Sequence, residues 1–121
     1  MPTTVLIVDD HPSFRASARR LLETEGYEVI GEAADGADAL RAARELSPDV
    51  VLVDVRLPDL DGFAVSRRIT GRGRAPDLVP DVILISSREV DEWDDAASDV
   101  GARGFIPKAK LSRRAMEALL A

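Results

Sequence analysis

Three apolar runs set the frame of the chain: Val5-Leu6-Ile7-Val8, Val50-Val51-Leu52-Val53 and Val82-Ile83-Leu84-Ile85. All are rich in β-branched residues and too short for helices, so they predict strands. None alternates apolar with polar positions. A strand that is apolar at successive residues has both faces buried, as in a parallel sheet covered by helices on each side. Weaker strands are expected around Tyr27–Glu32 and Gly104–Pro107.

Between the runs, apolar residues recur at helical spacing. Phe14, Ala18, Leu21 and Leu22 share one face of a segment that Pro12 and Ser13 can open and Gly26 can stop. Leu40 and Ala43 mark a second segment, begun by Asp35 and ended near Pro48. Phe63 and Ile69 mark a third, Val90, Trp93, Ala97 and Val100 a fourth, and Met116, Leu119 and Leu120 a fifth. Trp93 falls on the apolar stripe of the fourth and is read as packing. Strand then helix, repeated with short right-handed crossovers, predicts an α/β fold. The expected architecture is a doubly wound five-stranded parallel sheet of flavodoxin-like order 2-1-3-4-5, with helices on both faces. The stretch from Gly71 to Pro80 is irregular and is expected to be a surface loop. No linker or repeat is visible, so residues 1–121 are expected to form a single domain with no output domain in this chain.

Composition narrows the setting. With 121 residues, 45% hydrophobic and 31% charged, the chain can bury one core and has the balance of a globular protein. No apolar run approaches the ~20 residues of a membrane span, and the N-terminus lacks the pattern of a signal peptide. A cytoplasmic location away from membranes is the expectation. There is no cysteine, which excludes disulfides and thiolate metal sites. The net charge of −6 argues against direct nucleic-acid binding by this chain.

In an open α/β sheet, ligands sit beyond the carboxyl ends of the strands, where the strand order reverses. Asp9-Asp10 follows the first run, Asp54 the second and Ser86-Ser87 the third, and Lys108 comes just after the last short strand. Packing does not call for such residues there. Two unit charges ~4 Å apart interact by ~1 kcal/mol in water but ~4 kcal/mol at an effective dielectric near 20, so gathered carboxylates need a counter-charge. Oxygen donors without a His or Cys cluster suit Mg²⁺ or Mn²⁺ rather than Zn²⁺. Mg²⁺ held by few carboxylates and a substrate phosphate points to phosphoryl chemistry, and Lys108 adds a cation for carboxylate or phosphoryl oxygens.

The whole chain resembles the receiver domains of two-component response regulators. The resemblance rests on Asp9-Asp10, Val51-Leu52-Val53-Asp54, Leu57-Pro58, Asp61-Gly62, Ser86-Ser87, Gly101-Ala102-Arg103-Gly104-Phe105 and Pro107-Lys108, in this order. It implies that Asp54 accepts a phosphoryl group from a sensor histidine kinase. It further implies that Asp9, Asp10, Asp54 and the Arg56 carbonyl hold Mg²⁺, that Ser86 and Lys108 bind the phosphoryl group, and that Ser86 and Phe105 form the switch. Such a domain assists its own modification and is not a turnover enzyme.

Asp10-His11-Pro12 and Gly104-Phe105-Ile106-Pro107-Lys108 look most like receivers that precede a LuxR-type helix-turn-helix. That implies transcriptional regulation, through an output domain beyond this chain or through a protein partner. Phe105 lacks the phenol oxygen of a tyrosine, and Ala109 stands where many receivers have Pro. Ser87 is read as a helix start. His11, the only histidine, is read as peripheral and structural, since one imidazole without a partner is poor evidence for a metal site. The fourth helix carries acidic Glu89, Asp91, Glu92, Asp94, Asp95 and Asp99, and the last strand and helix carry basic Lys108, Lys110, Arg113 and Arg114; such exposed charge is usually solvation, and the alternative reading is a dimer or output-partner surface on these elements. Two rival readings are a Mg²⁺-dependent aspartyl-nucleophile phosphatase and a phosphate-independent pseudo-receiver. The first generally needs an acid two positions after the nucleophile, where this chain has Arg56. The second usually loses one of the five polar residues that are all present here.

Overall fold

In the computed structural model, residues 2–71, 79–87 and 93–120 are described. Five strands, β1 (Thr4–Val8), β2 (Glu28–Ala33), β3 (Val50–Asp54), β4 (Asp81–Ser86) and β5 (Gly104–Pro107), alternate with five helices. The helices are α1 (Pro12–Thr24), α2 (Gly36–Leu46), α3 (Gly62–Thr70), α4 (Trp93–Asp99) and α5 (Arg113–Leu120). The strands are parallel and lie in the order β2-β1-β3-β4-β5, as the alternation of elements predicts.

The unbroken apolar runs have the expected cause. Leu6, Val8, Val51, Val53, Val82 and Leu84 face Ala39, Ala43, Val65, Ile69 and Ala97 of α2, α3 and α4. Their chain neighbours Val5, Ile7, Val50, Leu52, Ile83 and Ile85 face Ala18, Leu22 and Met116 of α1 and α5. Successive side chains of a strand point to opposite faces, so a sheet covered twice needs apolar residues at every position.

Local signals set the helix ends. Asp35 and Asp61 cap α2 and α3 by accepting the N–H groups of Asp38 at 2.8 Å and Ala64 at 2.7 Å. Pro12 opens α1, and Gly26, at φ +97°, turns the chain after it. The Asp59 carboxylate, from the turn after β3, takes the N–H groups of Gly36 at 2.7 Å and Ala37 at 3.0 Å, tying that turn to the start of α2. Most of the expected loop between Gly71 and Pro80 lies outside the described residues, as do Val90 and the acidic residues Glu89, Asp91 and Glu92. The side chains of Trp93, Asp94 and Asp95 do too, which leaves Asp99 alone of the expected acidic surface.

Candidate functional site

Strand register gathers the polar residues. Val8 pairs with Val53, which sets Asp9 beside Asp54; Asp54 pairs with Ile85, so Ser86 lies one step beyond. Ser86 pairs with Pro107, and Lys108 follows. Asp9, Asp54 and Ser86 are all buried, with Asp9 fully so. Asp10 remains partly exposed at the rim.

Lys108 joins the two buried acids. Its Nζ lies 3.0 Å from Asp54 Oδ2 and 2.5 Å from Asp9 Oδ2. Its contact with Asp54 has hydrogen-bond geometry, and its ion pair with the buried Asp9 Oδ2 is closer still. The other Asp9 oxygen accepts the His11 backbone N–H at 2.8 Å. Asp54 Oδ1 accepts the Arg56 N–H at 3.1 Å. The methylene-flanked ammonium of Lys108 also sits over the Phe14 ring, 4.6 Å from its centroid.

Two acids sharing one lysine divide unequally. Burial pushes the Asp54 carboxyl up, and the nearby Asp9 charge adds to it, against the Arg56 N–H and Lys108. Burial also acts on Asp9, but Lys108 and His11 outweigh it and hold its carboxyl below the usual range. Lys108 loses hydration on burial, yet its two carboxylates hold its pKa above the ordinary value. Asp9 is thus the settled anion, and Asp54 is the acid whose charge is least well supported.

Backbone packing fixes the phosphoacceptor candidate in place. A Cβ at Gly62 would lie 2.3 Å from the Asp54 carbonyl oxygen, so the chain at Asp61-Gly62 folds tightly against the end of β3. Gly62 donates its N–H to the Val55 carbonyl at 2.9 Å, and Arg56 and Asp61 form an isolated bridge across the turn. The Arg56 side chain points into solvent. Phe105 is half-buried on β5, packed against the cluster that includes Leu84. Lys108–Ala109 is an ordinary trans peptide bond.

Sequence reasoning left four residues out of the site. His11, read as peripheral and structural, has a largely exposed ring whose Nδ1 lies 2.8 Å from Asp9 Oδ1 and 3.1 Å from Asp10 Oδ1. Phe14 carries Lys108. Arg15 donates to the Asp9 carbonyl at 2.5 Å and is itself held by Glu32 at 3.0 Å. Asp59 braces the turn behind Asp54. The available signal was position, since His11, Phe14 and Arg15 fall within the turn of helix that follows the acidic pair. A cavity of 560 Å³ lies elsewhere, at the amino ends of the strands, and is lined by Thr3, Gly26, Tyr27, Arg113 and Glu117.

Comparison with known proteins places this arrangement. The pattern of the response regulator receiver domain matches residues 5–120. The virulence-factor transcription regulator BvgA of Bordetella pertussis is 39% identical over 108 residues, which cover 89% of this chain and 50% of that protein. The chain therefore spans about half the length of that relative. A LuxR-family two-component response regulator from Aurantimonas superposes with a TM-score of 0.84 at 34% identity, over 99% of this chain and 86% of that one. The CheX-CheY-BeF3-Mg complex from Borrelia burgdorferi gives 0.83 at 28% identity, over 99% and 87%. Shared fold and a match across nearly the whole chain lead to one conclusion: this chain belongs to the response regulator receiver domain family.

Proposed function

We propose that this receiver is a phosphorylation switch in which Asp54 accepts a phosphoryl group from a sensor histidine kinase. The observation that carries the reading is the shared lysine: Lys108 reaches both Asp9 and Asp54 at the carboxyl ends of adjacent strands. An Asp54 oxygen attacks phosphorus in line as the P–N bond of the phosphohistidine breaks. The imidazole leaves, and an acyl phosphate remains on Asp54. Lys108 then exchanges a carboxylate for a phosphoryl oxygen, and the Ser86 hydroxyl supplies a hydrogen bond at the end of β4. The half-buried Phe105 on the adjoining strand follows Ser86 by packing alone.

The residues present fit Mg²⁺. One ligand atom from each of the Asp9, Asp10 and Asp54 carboxylates lies within 4.8 Å of the others, with the Lys108 ammonium as the cation beside the buried pair, and the Arg56 carbonyl would be the backbone ligand. When bound there, the ion neutralises phosphoryl and carboxylate charge that Lys108 alone does not balance. The chain is a signalling module and not a turnover enzyme. Among the described residues no helix is long and apolar enough to cross a membrane. By analogy with relatives about twice its length, its output is transcriptional, through a further domain or a partner docking on α4, β5 and α5.

The test is incubation with Mg²⁺ and acetyl phosphate or beryllofluoride, read by intact mass and amide NMR. Wild type gains one adduct and shifts near Ser86 and Phe105; Asp54→Asn shows neither. Absence of any Asp54-dependent adduct overturns the reading. Sustained phosphate release beyond one equivalent would favour the aspartyl phosphatase instead.

A further inference from the structure

Phe14 stands in the first turn of α1, on the same stripe as Ala18 and Leu22, which are buried against the sheet. Its ring packs against that core and is half-buried, so the apolar stripe ends at the edge of the site. The Lys108 ammonium lies 4.6 Å from the ring centroid, within reach of the negative face of the aromatic system. This turn of α1 is itself tied down. Arg15, the next residue, donates to the Asp9 carbonyl at 2.5 Å and is held by Glu32 at 3.0 Å. The ring therefore belongs to a frame that also fixes Asp9.

Lys108 touches Asp9 Oδ2 at 2.5 Å, Asp54 Oδ2 at 3.0 Å and the Phe14 ring. Its side chain is only 14% exposed, so water is a poor substitute for a lost partner. At rest the two carboxylates locate the ammonium with or without the ring. When Asp54 becomes an acyl phosphate its carboxylate charge disappears, and the negative charge lies further out, on the phosphoryl oxygens. One hold on Lys108 is then gone just as the cation has to follow the charge. Attraction to a ring face is far less directional than a hydrogen bond, so it survives a shift that breaks the bond to a carboxylate oxygen.

We propose that Phe14 is a positioning residue for phosphoryl transfer, whose ring face holds the Lys108 ammonium while that cation passes from the Asp54 carboxylate to the phosphoryl group. The inference rests on the phosphoacceptor reading above. Leucine at this position would fill the end of the stripe but offer the cation no π face. If Phe14 only fills the stripe, the electron density of its ring has no bearing on the rate.

The experiment places phenylalanines carrying none to three ring fluorines at position 14 of the full chain, a series that changes shape little and weakens the ring face stepwise. Asp54 phosphorylation by acetyl phosphate at saturating Mg²⁺ is followed by intact mass. The rate constant falls steadily along the series, by about fivefold at its end, and Phe14→Leu falls at least as far. In resting protein the ring shifts the Lys108 ε-methylene protons upfield, and Phe14→Leu abolishes that shift. A rate indifferent to fluorine content, or no upfield shift, overturns the assignment while Asp54 still forms its adduct. Failure of wild type to form any Asp54-dependent adduct overturns the phosphoacceptor reading and this inference with it, so the two failures are distinct.

Discussion

Asp54 occupies the least comfortable position of any carboxylate in the site, and that has a measurable cost. Burial raises its pKa above the unfolded value of 3.8, so the folded state holds this proton more tightly than the unfolded chain does. Stability from this group is present below 3.8 and is lost as pH rises through the folded value. Asn has nearly the same shape without the charge. Asp54→Asn should therefore raise the melting midpoint of metal-free protein at neutral pH. The gap should open between acid and neutral pH, and shrink on adding Mg²⁺, which at 100 times its Kd stabilises wild type by about 2.7 kcal/mol. Calorimetric melts with and without Mg²⁺ check both. At this scale the sequence showed which residues carry charge at strand ends. It did not show how the charge is shared, because Lys108 reaches Asp9 and Asp54 from the end of β5, three positions from β1 in the sheet.

Among the elements, the turn after β3 is held from two sides, by Gly62 pressed on the Asp54 carbonyl and by Asp59 clasping the first N–H groups of α2. Those N–H groups lower the Asp59 pKa from 3.8. The sign is opposite to that of Asp54: this stabilisation is present above the unfolded value and is lost as pH falls through the lower folded one. Asp59→Asn should be less stable than wild type at neutral pH, with the difference closing below about pH 4. Urea unfolding midpoints across that range check it. The strands were legible because double burial leaves an unbroken apolar run, and Asp35 and Asp61 are visible caps. Asp59 was not, since it caps a helix 22 residues earlier in the chain, a pairing that only the packing of two loops creates.

For the whole molecule, the sheet is one object with two cores. Leu52 and Leu84 are both fully buried but belong to opposite faces. Leu52→Ala and Leu84→Ala should each cost about 2–5 kcal/mol. Both variants should keep a single unfolding transition with coincident circular dichroism and hydrogen-exchange signals, because every central strand serves both cores. Separate transitions would show that the two faces melt independently. Strand order was readable from the alternation of elements, whereas the surface expected on α4, β5 and α5 was not, since most of its acidic half lies outside the described residues. The outermost strands carry a last consequence. On one flank β5 has only four residues, and Pro107 has no N–H to offer. On the other, β2 skips Ile30 in its pairing with β1 and exposes Glu28 and Glu32. Short length, proline, irregular pairing and charge are the devices that stop one sheet from templating another. Copies of this molecule should therefore meet through side chains and not by adding strands, which keeps association reversible, as a signal that must be switched off requires.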